Sequence, residues 1–181
     1  MDYFEAIVKT LLEDDGFWTR QSVRVNVTKE EKRDIGKPTI PRPEIDLIAY
    51  KPESKEILAI EVKSFLDSSG VQLTCLQENH NIPEGRYKLF TCSNYRQIVF
   101  NRLNKDLKAS GLIESPLKIR LGLAAGNVYK NSEFEINEFL KRQDLFFWGP
   151  SEIKKRIQNL AKKGYENDPT VIAAKVLLRG S

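Results

Sequence analysis

Histidine and cysteine are scarce in this chain, and their scarcity removes several kinds of chemistry. His80 is the only histidine among 181 residues, which excludes metal sites built on two His and weighs against Ser-His-Asp hydrolysis. It lies in the polar run Gln77-Glu78-Asn79-His80-Asn81, which reads as a surface loop. Cys75 and Cys92 are too few for a disulfide framework or a structural zinc site, and neither belongs to a CxxC pair. Both are expected to be reduced and structural. The chain lacks a glycine-rich phosphate loop of the P-loop or dinucleotide type, which leaves nucleotide hydrolysis without a basis. No apolar run suits a membrane span and no charged-then-apolar leader is read at the N-terminus. The expectation is a soluble, cytoplasmic protein with no membrane partner.

What the chain does have is enough apolar content, 40%, to bury one good core with at most a small appendage. The net charge of +4 and a pI near 9.0 suit a polyanionic partner without requiring one.

The organising stretch is Glu44 to Phe65, EIDLIAYKPESKEILAIEVKSF. Residues 44–50 and 57–65 are short and rich in Ile, Leu, Val and Ala, and the polar connection Pro52-Glu53-Ser54 between them predicts a hairpin. A turn symmetric about Glu53-Ser54 sets Asp46 opposite Glu61. Facing residues of an antiparallel pair hold their Cβ atoms about 4.5–5.5 Å apart, so two like charges there need neutralising. A divalent cation would do this. Alternation along the strand puts Lys63 on the face of Glu61, while Ile60 and Val62 point into the opposite layer.

Asp46 followed on the next strand by Glu61-Val62-Lys63 resembles the motif of the PD-(D/E)XK nuclease superfamily. Pro43 stands three residues ahead of the aspartate, where the family places its proline directly before it. The resemblance implies a restriction endonuclease-like α/β core and a Mg²⁺ ion, replaceable by Mn²⁺, held by Asp46, Glu61 and the backbone carbonyl of Val62. It places Lys63 beside the attacking water and makes nucleic acid, DNA before RNA, the expected partner. A homodimer is compatible with it. In many relatives an acidic residue on the first helix faces the metal, a role open to Glu5. Glu5 equally fits a capping box with Asp2. A glutamine after the lysine strand contacts the site in several branches, and Gln72 or Gln77 could match, against the plainer reading of a solvated amide. Ser64 and Ser68 could reach a phosphate oxygen, though a serine near a turn is usually a cap.

In chain order, residues 2–14 predict a helix capped by Asp2, with Phe4, Ile7, Val8, Leu11 and Leu12 on its apolar face and Gly16 as its stop. Thr19 to Val27 alternates as a strand. Residues 28–43, with Gly36 and three prolines, read as a solvated loop whose Lys29, Lys32, Arg33, Lys37 and Arg42 could track a phosphate backbone. Val71 to Glu78 predicts a short helix, Arg86 to Thr91 a strand, Ser93 to Ser110 a helix stopped by Gly111, and Lys118 to Val128 a strand turning small at Ala124-Ala125-Gly126. Arg96, Arg102, Lys105 and Lys108 lie off the helix stripe and are expected to be solvated.

From Asn131 onward the pattern predicts three helices without a strand between them. The first is Glu133 to Arg142, the second starts at Ser151 as cap, and the third opens at Asp168-Pro169. Leu145-Phe146-Phe147-Trp148 reads as an apolar staple to the core, with Trp148 as packing. Lys154, Lys155, Arg156, Lys162 and Lys163 give the middle helix a basic face, expected to be solvated. The fold class is therefore α/β, a mixed central sheet flanked by helices over residues 1–130, with a helical extension over 131–181. The expected function is metal-dependent hydrolysis of phosphodiesters. Its rival is a non-catalytic module that keeps the fold to hold nucleic acid or protein, since a structural ion-pair network of the same three residues would look identical in sequence.

Overall fold

Five strands make one mixed sheet in the order β1-β2-β3-β4-β5: Trp18–Arg24, Glu44–Lys51, Glu56–Lys63, Lys118–Ala125 and Phe146–Trp148. The computed structural model describes residues 3–178. β1, β2 and β3 are antiparallel neighbours, whereas β4 and β5 run parallel to β3. The helices are α1 Tyr3–Asp14, α2 Lys29–Asp34, α3 Leu73–Leu76, α4 Lys88–Thr91, α5 Ser93–Ala109, α6 Glu133–Arg142, α7 Pro150–Lys162 and α8 Pro169–Leu178. Asp2, the cap expected for α1, lies outside the described residues.

The sheet is buried on both faces, which is why β2, β3 and β4 read as near-continuous apolar runs. On one face Phe4, Val8, Leu11 and Leu12 of α1 pack against Leu47, Leu58, Ile60 and Val62. Ile153 and Leu160 of α7 and Val171 and Ala174 of α8 extend the same cluster. On the other face Tyr95, Val99, Leu103 and Leu107 of α5, with Ile136 and Leu140 of α6, cover Ile57, Ala59, Leu121 and Leu123. Gly16 stops α1 in a left-handed conformation, φ +85°, where a side chain would be strained.

Several elements differ from the sequence reading. Residues 86–91 are not a strand. Residues 88–91 form the helical turn α4, whose Leu89 and Phe90 carbonyls accept from the Arg96 guanidinium at 2.8 and 3.3 Å. A short apolar run carries no period long enough to separate strand from helix, and the Arg96 contact lies outside the run. Arg96 is therefore half-buried rather than solvated. The 28–43 loop contains α2, because Thr28 and Glu31 form a reciprocal capping box. Leu145–Trp148 contributes β5 to the sheet, so the segment beyond Asn131 is not purely helical. A strand of three residues gives almost no periodic signal, and β5 exists because Gly122 and Ala124 of β4 pair with Phe146 and Trp148. α7 begins with Gly149 as its cap and Pro150 as its first residue. Ser151 instead directs its N–H and hydroxyl to Glu133, at 3.0 and 2.7 Å. Asp168 does cap α8, accepting from the Thr170 and Val171 N–H groups at 2.8 and 3.1 Å.

Arg102 is committed as well. Its guanidinium grips the Glu31 carboxylate with two of its nitrogens, Nε and Nη2, at 2.7 to 3.0 Å, and so clips α2 to α5. Burial works against the Glu31 anion, but the Arg102 bonds and the Thr28 N–H outweigh it and hold the carboxyl below the usual glutamate range. A depressed folded pKa means that this contribution is complete at neutral pH and is lost as pH falls through the folded value. Arg102→Met should therefore cost about 1–2 kcal/mol at pH 7 and speed amide exchange in residues 28–43. The difference from wild type should shrink on acidification. Unchanged exchange in that segment would show that the clip holds nothing.

Candidate active site

Asp46 sits at an interruption of the sheet. The β1–β2 ladder pairs Gln21 with Leu47 and Val23 with Ile45 but skips Ser22 and Asp46, and Ser22 adopts a left-handed φ of +51°. On the other side the β2–β3 ladder ends at Leu47 and Ile60. Continued by one step, that register would set Asp46 against Glu61. Instead the Asp46 carboxylate takes the place of a ladder acceptor: its Oδ2 accepts the Val62 N–H at 2.8 Å. The alternation of β2 breaks at the same point. Leu47 packs on the α1 face, whereas Ile45 joins Ile48 in the cluster under α5.

Lys63 closes the arrangement. Its ammonium lies 3.0 Å from Glu61 Oε2 and 3.3 Å from Asp46 Oδ2, so one cation serves two carboxylates. The side chains of Asp46, Lys63 and Glu61 are 22%, 18% and 13% exposed. The ends of β3 and β4 are drawn tightly together beside them. Gly126 donates its N–H to the Lys63 carbonyl at 2.9 Å, and a Cβ at Gly126 would lie 2.5 Å from the Ser64 carbonyl oxygen, a distance only glycine permits.

Burial pushes the Glu61 carboxyl up, Lys63 opposes that shift, and the Asp46 charge adds to it, with a net rise. Burial also works against the Lys63 ammonium, yet Glu61 and Asp46 outweigh it and its pKa rises. Two partners of one ion pair thus both move upward. The directions are compatible because the trio holds one negative charge in excess: the lysine stays charged and the surplus falls on the carboxylates.

Glu61 and Lys63, the latter in contact with Asp46, form part of the wall of a cleft of about 410 Å³ between the sheet, residues 40–45, residues 85–89 and α5. Arg42, Arg86 and Lys88 line it together with Glu61 and Lys63, and among the described residues no carboxylate forms an ion pair with any of those three. The Arg86 guanidinium lies 5.8 Å from the Phe65 ring centroid. Phe65 itself adopts a φ of +46°, and its carbonyl accepts from Asn127 Nδ2 at 3.2 Å. Tyr95 of α5 also lines the cleft. Burial, then the nearby Glu61 charge, pushes its phenol up to about 12, so it is neutral and able to donate.

The other residues singled out from the sequence fall elsewhere. Glu5 is half-buried in the first turn of α1 and does not line the cleft, nor does Gln72, half-buried just before α3. Gln77 is exposed. The Ser68 hydroxyl bonds the Phe65 carbonyl at 3.3 Å, as a turn serine does. In α7, Arg156 pairs with Asp15 and Glu152 and stacks 4.0 Å from the Trp148 ring centroid, and Lys163 pairs with Asp14. Lys154, Lys155 and Lys162 remain exposed. Sequence reasoning missed Arg86, Lys88 and Tyr95 as cleft residues. The first two lay in or beside a run taken for a strand, and Tyr95 read only as a core position.

No family model, curated protein or solved structure matches this chain.

Among the described residues no group of three or more His, Cys, Asp or Glu side chains is gathered to hold a metal. The donors brought together here are the carboxylates of Asp46 and Glu61, which both contact Lys63. That set fits a hard divalent cation, which retains several waters and commonly binds through one or two carboxylates. The shared Lys63 ammonium already marks where positive charge is favoured. Lys63→Met should therefore melt earlier without metal, by about 2–3 kcal/mol, somewhat less than breaking a fully buried pair. Mg²⁺ or Mn²⁺ should raise its melting temperature more than that of wild type. Glu61→Gln should behave oppositely. A carboxyl with a raised folded pKa binds its proton more tightly folded than unfolded, so it destabilises at high pH and the penalty disappears as pH falls through the folded value. The variant should melt later than wild type at pH 8, with wild type catching up on acidification. A metal-insensitive Lys63→Met melt would remove the cation site.

Proposed function

We propose that this protein is a Mg²⁺-dependent nuclease with a restriction endonuclease-like core of the PD-(D/E)XK type, hydrolysing phosphodiester bonds, with DNA as the expected substrate. The observation that carries the reading is the shared contact of Asp46 and Glu61 with Lys63 on the wall of a cleft lined by Arg42, Arg86 and Lys88. A purely structural ion pair gives no reason for a cleft beside it lined by further, unpaired cations.

In this reading Asp46, Glu61 and the Val62 carbonyl hold the ion. Bound there, Mg²⁺ would polarise the phosphate and lower the pKa of a water. Lys63 serves as a compact charge on a flexible stem, able to orient that water or offset charge developing on the phosphate. Val62 has a second part, since its N–H fixes the Asp46 carboxylate and so removes a rotamer that would otherwise have to be ordered on binding. Arg42, Arg86 and Lys88 hold the neighbouring phosphates electrostatically. The Tyr95 hydroxyl, protonated at neutral pH, can donate to a phosphate oxygen or a water.

Cleavage of plasmid and oligonucleotide DNA in saturating Mg²⁺, run beside thermal melts, tests the assignment. Asp46→Asn should lose activity together with the metal-induced rise in melting temperature. Lys63→Met should keep a metal-induced rise yet lose about 10²–10³ in rate, the size of losing one group that acts mainly on the transition state. Cleavage that survives in Lys63→Met would show that Lys63 has only a structural part, whereas no metal-dependent cleavage by wild type would leave the non-catalytic binding module.

A further inference from the structure

The cleft that contains Glu61 and Lys63 has two walls, residues 40–45 and residues 85–89, and the segments that lead into them are joined just outside it. Lys37 Nζ reaches across to the Pro83 carbonyl at 3.4 Å, and Ile82 Cγ1 lies 3.4 Å from where a Gly36 Cβ would stand. Neither wall is loosely attached. The first is clipped by Glu31 to Arg102 and by the Asn94 amide, which donates to the Asp34 carbonyl at 2.9 Å. The second is held by the Arg96 bonds to the Leu89 and Phe90 carbonyls. Asp46, Glu61 and Lys63 are each less than a quarter exposed, and the last two line the cleft.

From this geometry we infer that the cleft takes an unpaired polynucleotide strand, or the frayed end of a duplex, in preference to intact double helix. The inference rests on the nuclease reading for what happens to the strand, but not for its binding. A duplex is stiff over about 150 base pairs and cannot be threaded between joined walls, whereas a single strand bends at every nucleotide. The chemistry of the rim fits the same ligand. Arg42 stands on one wall and Arg86 on the other, both exposed and without a carboxylate partner among the described residues, so a phosphate chain running between the walls meets a cation on each side. Arg86 is positioned against Phe65, at the end of β3 just past Lys63. An electrostatic groove edged by aromatic rings is the usual arrangement for single-strand binding.

Fluorescence anisotropy in EDTA tests this with a labelled single-stranded DNA oligonucleotide, the same sequence in RNA, and the blunt DNA duplex. The DNA or the RNA strand should bind about tenfold or more tighter than the duplex, reflecting base contacts that a duplex cannot offer. Arg42→Gln with Arg86→Gln should weaken strand binding and lower the slope of log affinity against log salt by roughly 1.4, or 0.7 for each phosphate that no longer meets a cation. Duplex affinity equal to that of both strands would overturn the inference, and so would a strand affinity and salt slope untouched in the double variant. Parallel reactions in Mg²⁺ keep the two readings apart. Strand preference without any cutting would remove the nuclease assignment and leave this one standing, whereas cutting of DNA with equal duplex affinity would do the reverse.

Discussion

One ammonium shared between two carboxylates sets the form of this end of the molecule. Asp46 and Glu61 lie near one another because the hairpin is symmetric about Glu53-Ser54, and two carboxylates so placed repel unless a cation lies between them. Lys63 is that cation. Its presence lets β2 and β3 separate at this point, because Asp46 no longer needs its main chain in the ladder once its side chain accepts the Val62 N–H. The cleft opens where the ladder ends. A fully paired hairpin would have carried the β2–β3 ladder on from Leu47 and Ile60 to Asp46 and Glu61.

Much of this was legible from local pattern. The hairpin follows from two apolar runs around a polar Pro-containing turn, and the opposing placement of Asp46 and Glu61 follows from the turn's centre alone. The burial of Ile60 and Val62 on the α1 face follows from alternation, and α5 from a stripe that repeats over four turns. What was illegible depends on partners distant in sequence. β5 has three residues and is a strand only because β4 offers an open edge. α4 is helical where Arg96 meets its carbonyls. Arg102 looked solvated because its position lies off the apolar stripe, and only Glu31, 71 residues earlier in sequence, gives it a partner. The interruption at Asp46 has no sequence signature at all.

The same distinction moves the polyanion contacts. In sequence, the densest cluster of cations lies on α7, but part of it holds the tail to α1: Arg156 sits between Asp15, Glu152 and the Trp148 ring, and Lys163 pairs with Asp14. Cations with partners of that kind contribute little to a distant phosphate. Arg42 is far in sequence from Arg86 and Lys88, yet the three line one cleft with Glu61 and Lys63. Charge density along the chain is thus a poor guide to the field of the folded molecule, because ion pairs with acidic neighbours subtract from it locally.

The choice of lysine rather than arginine at position 63 is a consequence of the same geometry. An arginine could bridge Asp46 and Glu61 with a planar fork of five donors, and a bidentate grip of the kind Arg102 has on Glu31 would hold both carboxylates firmly. Such a pair would be more rigid and less useful in the proposed reaction, in which the carboxylates must accept a different cation. Lysine presents a point charge on a flexible four-carbon stem. It can offset one of the two carboxylate charges in the absence of metal and then swing away from one oxygen without unmaking a planar contact. Burial first, and the Asp46 charge after it, raise the Glu61 pKa, and in the proposed reaction the more poorly a single ammonium neutralises two buried carboxylates, the greater the gain when a doubly charged ion joins them.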